Sequence, residues 1–272
     1  MPQGPNDRQP PCVVLGLETQ IGLCIVRELG QAGVPVIGIS HDPRAIGMRS
    51  RYLTKAIVVE EPRSDSLSRL IRSIGNDHGH CPLLAISEAN LSWLARHQDE
   101  FGQVTPVLPN PTAMSLVLNK QATLKVAKTV GISTPASVQP RSGWQLSTLL
   151  TKCRLPAVLK WSDPNLVAPR LEHHGLPLLK AEYVHSPTEL QTALERYSVI
   201  GEWPLVHEYC SGYGLGQFFF MHRGKVVQQF QHRRVAEWPP EGGVSSVCDG
   251  IPLHEHAELQ SQSVALLRAI GW

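Results

Sequence analysis

Two hydrophobic periods alternate along the N-terminal part of the chain. Short apolar runs predict β-strands, and amphipathic segments between them, such as residues 64–75 and 88–98, predict helices. A strand that alternates with a helix in this way is typical of a parallel, doubly wound sheet, so we expect a Rossmann-like α/β unit. The predicted strands are CVVLGL (12–17), VPVIGIS (34–40), KAIVVE (55–60) and PLLAIS (82–87).

The proline-rich segment PVLPNP, residues 106–111, follows neither period and predicts a domain boundary. The polar, proline-rich start of the chain predicts a disordered tail over residues 1–11. We therefore expect an N-terminal domain over residues 12–110 and a second domain over residues 111–272.

The second domain has a different pattern. Asn119 precedes an amphipathic segment and predicts a helix N-cap, whereas RLPAVLKWSD (154–163) and GLPLLKAEYV (175–184) predict buried strands. From residue 204 onwards, strand-like segments are separated by glycine turns, which favours an antiparallel sheet, and a helix reaches the end of the sequence. This domain is predicted to be α+β.

Composition excludes several classes of protein. The 272 residues include 25 Lys and Arg against 23 Asp and Glu, a net charge of +2, which does not favour nucleic acid as a partner. The sequence contains neither a signal-peptide pattern nor an apolar run of membrane-spanning length, so we expect a cytoplasmic protein without membrane contact. The six cysteines are dispersed without a C-x-x-C pair, as is typical of reduced thiols.

Two weak motifs lie in the N-terminal domain. GLETQIG, residues 16–22, matches neither a dinucleotide fingerprint nor a P-loop, and a tight turn is the favoured interpretation. Asp42 could bind a ribose hydroxyl, but it is more simply a turn residue before Pro43. HGHC, residues 78–81, is interpreted as a solvated loop because no second cluster has metal-ligand spacing, so we predict no metal ligands in the chain.

A stronger signal is a series of segments in the second domain. Lys120 stands at a helix start, Lys160 ends a buried strand, and VHEYCSGYG joins a strand to a turn. A lysine at the end of an apolar strand indicates an anionic ligand, because its charge must be offset when water is removed.

The order of LNKQATLKVAKTVGISTP, LPAVLKWSDP, PLVHEYCSGYG, GKVVQQFQHRR and PPEGG resembles the ATP-grasp superfamily, and specifically its carboxylate-amine ligase-like members. The resemblance covers residues 12–272. It implies a Rossmann-like pre-ATP-grasp domain followed by a partial ATP-grasp domain with an antiparallel sheet. It also implies that ATP lies between two sheets, with Lys120 and Lys160 facing the phosphates. Adenine would meet a hinge strand, in which Glu208 is the expected polar side chain. The hinge comprises His207, Glu208, Tyr209 and Cys210.

The chain departs from the family pattern at three places. The glycine-rich loop after the second lysine is replaced by WSDPNLVAPRLEHHG, and Gly214 occupies a position that often carries an acidic residue. The family's magnesium ligands would fall beyond Trp272, so Mg²⁺ is expected as a cofactor without ligands in this chain.

The stretch HRRVAEWPPEGGVSS completes the predicted site. Strands that end at Arg233 and Arg234 could direct both guanidinium groups at the transferring phosphoryl, with a solvated arginine pair as the alternative. Gly242, Gly243 and Ser245 would let backbone amides approach a substrate carboxylate.

The resemblance implies an ATP-dependent ligase that joins a carboxylate to an amine through an acyl phosphate. ATP, a small carboxylate and an amine are the expected partners, and a homodimer is a candidate assembly. Two alternatives stay open, namely a nucleotide-binding protein of the same fold without turnover, and a Rossmann-type oxidoreductase.

Overall fold

A computed structural model describes residues 9–238, 240 and 243–272. Contacts divide the chain into two compact units, Met1–Pro111 and Thr112–Trp272. The division falls at the last residue of the predicted boundary segment. Most of the predicted tail, residues 1–8, lies outside the described part of the chain.

The N-terminal unit is built on a five-stranded sheet with the order β3-β2-β1-β4-β5, in which every pairing is parallel. The predicted parallel sheet is therefore confirmed. Its strands are β1 (Cys12–Leu15), β2 (Val36–Ser40), β3 (Lys55–Val58), β4 (Cys81–Ala85) and β5 (Val104–Pro106), and its helices are α1 (Gln20–Gln31), α2 (Asp65–His78) and α3 (Glu88–His97).

Helices cover both faces of this sheet. Val13 and Leu15 belong to a core cluster with residues of α2 and α3, whereas Cys12 and Val14 pack in a second cluster with Val26 of α1. This is the alternation that a strand buried on both faces requires.

The weak motifs of the N-terminal unit have structural roles. Gly16 follows β1 with φ +98°, and a Cβ there would lie 3.0 Å from the Ile86 carbonyl oxygen, as expected for a tight turn. The Asp42 carboxylate accepts a hydrogen bond from the Arg44 amide at 2.8 Å, which fits a turn residue. The loop interpretation of HGHC is wrong, because His78 ends α2 and the buried Cys81 begins β4.

The C-terminal unit contains two sheets. The central sheet has the order β6-β9-β7-β8, and the C-terminal sheet has the order β10-β11-β12. The C-terminal sheet is antiparallel, as predicted. The strands are β6 (Ser137–Val138), β7 (Ala157–Lys160), β8 (Glu182–Val184), β9 (Leu205–Glu208), β10 (Leu215–His222), β11 (Lys225–Trp238) and β12 (Val244–Gly250), and the helices are α4 (Pro111–Leu118), α5 (Lys120–Thr129), α6 (Leu146–Lys152), α7 (Pro164–His173), α8 (Pro187–Arg196) and α9 (Ala257–Ile270).

Side-chain caps fix the starts of several helices. The Asn119 side chain accepts from the Ala122 amide at 2.9 Å and begins α5, as predicted. At α8, the Ser186 hydroxyl accepts from the Glu189 amide at 3.2 Å, and the Glu189 carboxylate accepts from the His185 amide at 2.9 Å. Ser186 and Glu189 therefore form a capping box in which the returning bond is displaced by one residue.

Two local expectations were wrong. The strand predicted over 175–184 is limited to Glu182–Val184, since Pro177 interrupts the apolar run and cannot donate to a ladder. The strand expected to end at Arg233 and Arg234 continues to Trp238, because β12 pairs with it from His232 to Trp238. The segment in place of a glycine-rich loop, for which no element was predicted, forms α7, whose start is capped by Asp163.

One face of the central sheet is packed and the other is not. Leu159 and Val206 point into a core cluster that contains residues of α6, α7 and α8. The neighbouring strand positions must point to the opposite face, where they line a cavity. Among the described residues, no helix has both the length and the apolar character needed to cross a bilayer.

Candidate functional site

A cavity of about 780 Å³ lies within the C-terminal unit. It is bounded by the free face of the central sheet, by α4 and α5, by the segment between β9 and β10, and by one end of β11. Its lining residues are Val117, Lys120, Thr123, Leu124, Pro135, Val158, Lys160, Tyr183, all of 207–214, Arg234, Val235, Glu237 and Pro240.

Strand register explains which side chains of the central sheet face the cavity. Val158 and Lys160 are two apart on β7 and therefore share a face. His207 of β9 and Tyr183 of β8 both lie directly opposite Val158, which places them on that same face. The alternation of side chains along the strands therefore brings the Lys160 ammonium, the His207 imidazole and the Tyr183 phenol ring to one face of the sheet.

Lys120 reaches the same cavity from α5. The Lys120 amide donates to the Ser162 carbonyl oxygen at 3.0 Å, which ties the first turn of α5 to the segment that follows β7. Both lysines of the predicted phosphate-facing pair, Lys120 and Lys160, therefore line the cavity.

The charge environment of Lys160 is unusual. Burial lowers its pKa, and the nearby cations Lys120, Lys180 and Arg234 lower it further, with only Glu237 acting in the opposite sense. A half-buried lysine surrounded mainly by other cations is destabilised in its charged form. An anion in the cavity would relieve this repulsion.

His207 is 7% exposed and lines the cavity. Neither ring nitrogen has a hydrogen-bond partner among the described residues. Burial, followed by the charges of Lys160 and Lys120, lowers its pKa to about 4, so the imidazole is neutral near pH 7. A neutral imidazole offers one donor and one acceptor, and buried polar groups of this kind normally have a partner.

The strand end after His207 forms one edge of the cavity. Glu208 is fixed twice, since its amide donates to the Ala136 carbonyl at 2.8 Å and its carboxylate accepts from the Ala136 amide at 3.2 Å. The Tyr209 amide donates to the Pro156 carbonyl at 3.2 Å, and its ring lies edge-on to Tyr183 at 6.2 Å between centroids. Cys210 is exposed on the same edge. All four residues of the predicted hinge therefore line the cavity.

The two predicted catalytic arginines are separated by the alternation of β11. Arg234 lines the cavity, whereas Arg233 is not among the lining residues. Arg233 instead lies 3.6 Å from Asp249 and over the ring of Tyr213, at 5.9 Å from its centroid. Only Arg234 is thus placed to meet a ligand in this cavity.

Arg234 is held in position by three neighbours. Its guanidinium donates to Glu237 at 2.9 Å, and its amide donates to the Gly214 carbonyl at 2.7 Å. A Cβ at Gly214 would lie 2.5 Å from the Cδ of Arg234, so the absence of a side chain there makes room for the arginine. Glu237 also accepts from the Gly243 amide at 3.1 Å, and these bonds lower its pKa.

The structure describes only two of the three predicted carboxylate-binding residues. Gly242 lies outside the described residues. Gly243 uses its amide to bind Glu237, and Ser245 lies opposite Glu237 in the sheet register. The Ser245 hydroxyl is buried without a partner, but it does not line the cavity.

Several lining residues were not predicted from the sequence. Tyr183, Val117, Leu124 and Glu237 all line the cavity. In the sequence, Val117 and Leu124 are indistinguishable from ordinary core residues. The position of Tyr183 depends on a strand register that the sequence does not give. Glu237 could have been found from its spacing, since it lies three residues after Arg234 with opposite charge.

The described residues do not fit a magnesium site. No group of three or more His, Cys, Asp or Glu side chains converges anywhere in the described ranges. Within the cavity, both oxygens of Glu237 are occupied by Arg234 and by the Gly243 amide, and Glu208 is bound to Ala136. Mg²⁺ at nucleotide sites is usually held by one or two carboxylates together with phosphate oxygens, and both carboxylates that line this cavity are already engaged in hydrogen bonds.

Comparisons with known proteins define the fold. No protein-family model and no curated protein sequence matches the chain. Solved structures do match. An L-amino acid ligase from Bacillus licheniformis superposes with a TM-score of 0.64 at 12% identity, covering 98% of this chain and 61% of the ligase.

Two further structures are similar. N5-carboxyaminoimidazole synthetase from Staphylococcus aureus, complexed with ADP, gives a TM-score of 0.62 at 11% identity and covers 97% of this chain and 64% of that one. A biotin carboxylase–βγ-ATP complex from Campylobacter jejuni gives 0.66 at 14% identity, covering 98% and 61%. The chain shares its fold with these three structures, which confirms the predicted fold class, and it spans 61% to 64% of their length.

Proposed function

We propose that the cavity of the C-terminal unit binds ATP and that the protein takes part in ATP-dependent joining of a carboxylate to an amine. The observation that carries the proposal is the convergence of Lys120, Lys160 and Arg234 on one cavity in which Glu237 is already paired. Three cations line the cavity against two carboxylates, Glu208 and Glu237, each of which already accepts a hydrogen bond, and this balance favours an anionic ligand. Nucleotide complexes among structures of the same fold support the choice of ATP.

The central-sheet face of the cavity, beside Lys160, also suits a planar base. Val158, Leu124 and Tyr183 offer apolar and aromatic contact, and the neutral His207 offers a donor and an acceptor to the edge of a ring. The segment 208–210 lines the cavity next to this face, and its backbone can also meet a base. The phosphates then point towards Lys120 and Lys160.

The proposed reaction has two steps, a phosphoryl transfer and an attack by the amine. A carboxylate oxygen of the substrate attacks the γ-phosphorus of ATP, the bond to the β,γ-bridging oxygen breaks, and ADP leaves. The amine nitrogen then attacks the acyl carbon, phosphate leaves, and the nitrogen loses a proton. Lys160 and Arg234 stabilise the negative charge of the transferring group, so no side-chain nucleophile is required. Because the described residues do not fit Mg²⁺, no step is assigned to the metal.

Binding is tested by calorimetric titration of ATP into the 272-residue chain and into Lys160→Met. Loss of a charged hydrogen-bond donor should weaken binding at least about tenfold. Lys125→Met, in the exposed face of α5, removes the same charge outside the cavity and should change the affinity less than about twofold. Equal affinities in the folded wild type and Lys160→Met would contradict this site.

Turnover is tested separately. Wild-type protein is incubated with ATP, Mg²⁺, a panel of carboxylates and hydroxylamine, and both ADP and hydroxamate are measured. Hydroxamate that depends on ATP indicates an acyl phosphate. If ATP binds in the cavity but neither product forms with any carboxylate, the ligase proposal is contradicted in favour of a nucleotide-binding protein without turnover.

A further inference from the structure

A second cavity, of about 520 Å³, lies in the N-terminal unit and is unrelated to the proposed nucleotide site. Its lining includes Arg27 and Gln31 of α1 and the consecutive residues Arg49, Ser50, Arg51 and Tyr52 that follow a short 3-10 turn. Arg27 and Gln31 are four residues apart and share one face of α1. Three solvent-exposed arginines, Arg27, Arg49 and Arg51, therefore line one open cavity.

These arginines form no ion pair with any residue that the structure describes. The ion pairs found among the described residues involve Arg44, Arg170, Arg196, Arg233 and Arg234, but none of the three cavity arginines. The lining contains no acidic residue. The whole sequence carries a net charge of only +2, so this is a local excess and not part of a generally basic surface. Unpaired like charges held close together repel, and an anion removes that cost.

The walls of the cavity are held in place by the fold. The Gly47 amide donates to the Leu17 carbonyl at 3.0 Å, and the Thr54 amide donates to the Val36 carbonyl at 2.8 Å, which anchors the segment at both ends. A Cβ at Gly30 would lie 2.4 Å from the Cβ of Tyr52, so glycine lets Tyr52 pack directly against α1. Because Tyr52 packs against α1 in this way, the segment that carries Arg49 and Arg51 lies close to Arg27.

Tyr52 organises the charged groups. The Arg51 guanidinium lies over the Tyr52 ring at 5.2 Å and donates to its hydroxyl at 3.4 Å. Hydrogen bonding from Arg51, with smaller contributions from Gln31 and Arg27, lowers the pKa of the Tyr52 hydroxyl. The ring also leaves an apolar surface beside the guanidinium groups, next to Leu23 and Ile46.

We propose that this cavity binds a small organic phosphate, with the phosphate group held by Arg27, Arg49 and Arg51 and the organic group against Tyr52. Guanidinium groups bind carboxylate and phosphate oxygens in pairs, and a phosphate monoester, with three terminal oxygens and a charge of about −2, can meet more of these arginines at once than a carboxylate can. The cavity volume accommodates a ligand of a few heavy atoms beyond the phosphate. This inference does not depend on the proposed function of the C-terminal unit.

The test is titration of the 272-residue chain at constant ionic strength with phenyl phosphate, inorganic phosphate and acetate, followed by calorimetry. We expect saturable binding of phenyl phosphate, weaker binding of inorganic phosphate and none of acetate. Arg27→Gln and Arg49→Gln should each weaken phenyl phosphate binding at least about tenfold. Arg44→Gln, an exposed arginine of the same unit paired with Asp42, should change it less than about twofold.

Lys160→Met separates this site from the nucleotide cavity, and it should leave phenyl phosphate binding unchanged. A loss in Lys160→Met would place the phosphate in the other cavity and overturn the proposal. The same conclusion follows if binding is not saturable, or if Arg44→Gln loses as much affinity as Arg49→Gln. Arg27→Lys keeps the charge but lacks the planar guanidinium, so its affinity for phenyl phosphate should lie between those of the wild type and Arg27→Gln. A thermal melt of each variant verifies that it is folded.

Discussion

The central sheet and the C-terminal sheet both contribute to the cavity proposed to bind the nucleotide, but different forces hold them. The central sheet packs Leu159 and Val206 into a core, at 2% and 0% exposure. The C-terminal sheet leaves Phe218, Phe220 and Phe230 more than half exposed. Its other face is joined to α9 by polar contacts among others. These contacts are the hydrogen bonds between Gln217 and Ser263 and between Gln231 and Gln260.

This difference extends to the charged groups of the site. Lys160 and His207, on the central sheet, are fixed by burial and strand register, and neither has a bonded carboxylate. Arg234, on the C-terminal sheet, is fixed by its bond to Glu237 and by the space at Gly214. The cavity wall formed by the central sheet is therefore fixed by packing. The wall formed by the C-terminal sheet depends on individual polar contacts, each of which a single substitution can remove.

The largest expected effect concerns stability. Leu159→Ala should lower the free energy of unfolding by about 2–5 kcal/mol, because it opens a cavity in a packed core. Phe218→Ala, on the exposed face of the C-terminal sheet, should cost at most about 1 kcal/mol. Urea unfolding followed by circular dichroism measures both. Similar losses in the two variants would mean that the sheets are held alike, contrary to their burial.

The pH dependence of stability should come in part from the central sheet. The pKa of His207 is lowered to about 4 in the folded protein, mainly by burial, whereas an unfolded histidine titrates near 6.5. Between these values the unfolded chain binds the proton more readily, so the free energy of unfolding falls as pH decreases from about 6.5 to about 4. The full loss is on the order of 3 kcal/mol.

His207→Phe should abolish the contribution of this histidine to the fall in the free energy of unfolding below about pH 6.5. It should keep the stability near pH 7, because an apolar ring replaces two unsatisfied nitrogens. The measurement is urea unfolding at several values between pH 7 and pH 4.5. An unchanged slope in His207→Phe would show that the imidazole titrates normally in the folded protein.

The adjacent arginines of β11 give a matched pair for binding. Arg234→Gln should weaken ATP binding by about three- to tenfold, since one charged contact in a partly solvated site is lost. Arg233→Gln removes the same charge one residue away, on the opposite face, and should change the affinity less than about twofold. Calorimetric titration compares them. Equal losses would indicate a general effect of net charge instead of a contact made by Arg234.

Much of this arrangement could be predicted from the sequence, and the rest depended on strand pairing. The parallel sheet and the Asn119 cap follow from local signals, namely apolar period and capping chemistry. The convergence of Lys120 and Lys160 came from a resemblance in the order of motifs. The separation of Arg233 from Arg234 needed the knowledge that β11 continues through both, because a turn would have allowed them to point together. Tyr183 needed the register of β8 on β7, which no local pattern contains.

The smallest expected effect tests how Arg234 is positioned. Gly214→Ala places a methyl group 2.5 Å from the Cδ of Arg234, so the arginine must move. We expect ATP affinity to fall about two- to threefold, a fraction of the loss on removing the guanidinium group itself. The same substitution in an Arg234→Gln background should have almost no effect, because the group it displaces is already absent. Calorimetry on the wild type, both single variants and the double variant gives the coupling. If Gly214→Ala costs the same affinity in both backgrounds, glycine is needed there for its own backbone, and the polar wall of the cavity is less adjustable than its contacts indicate.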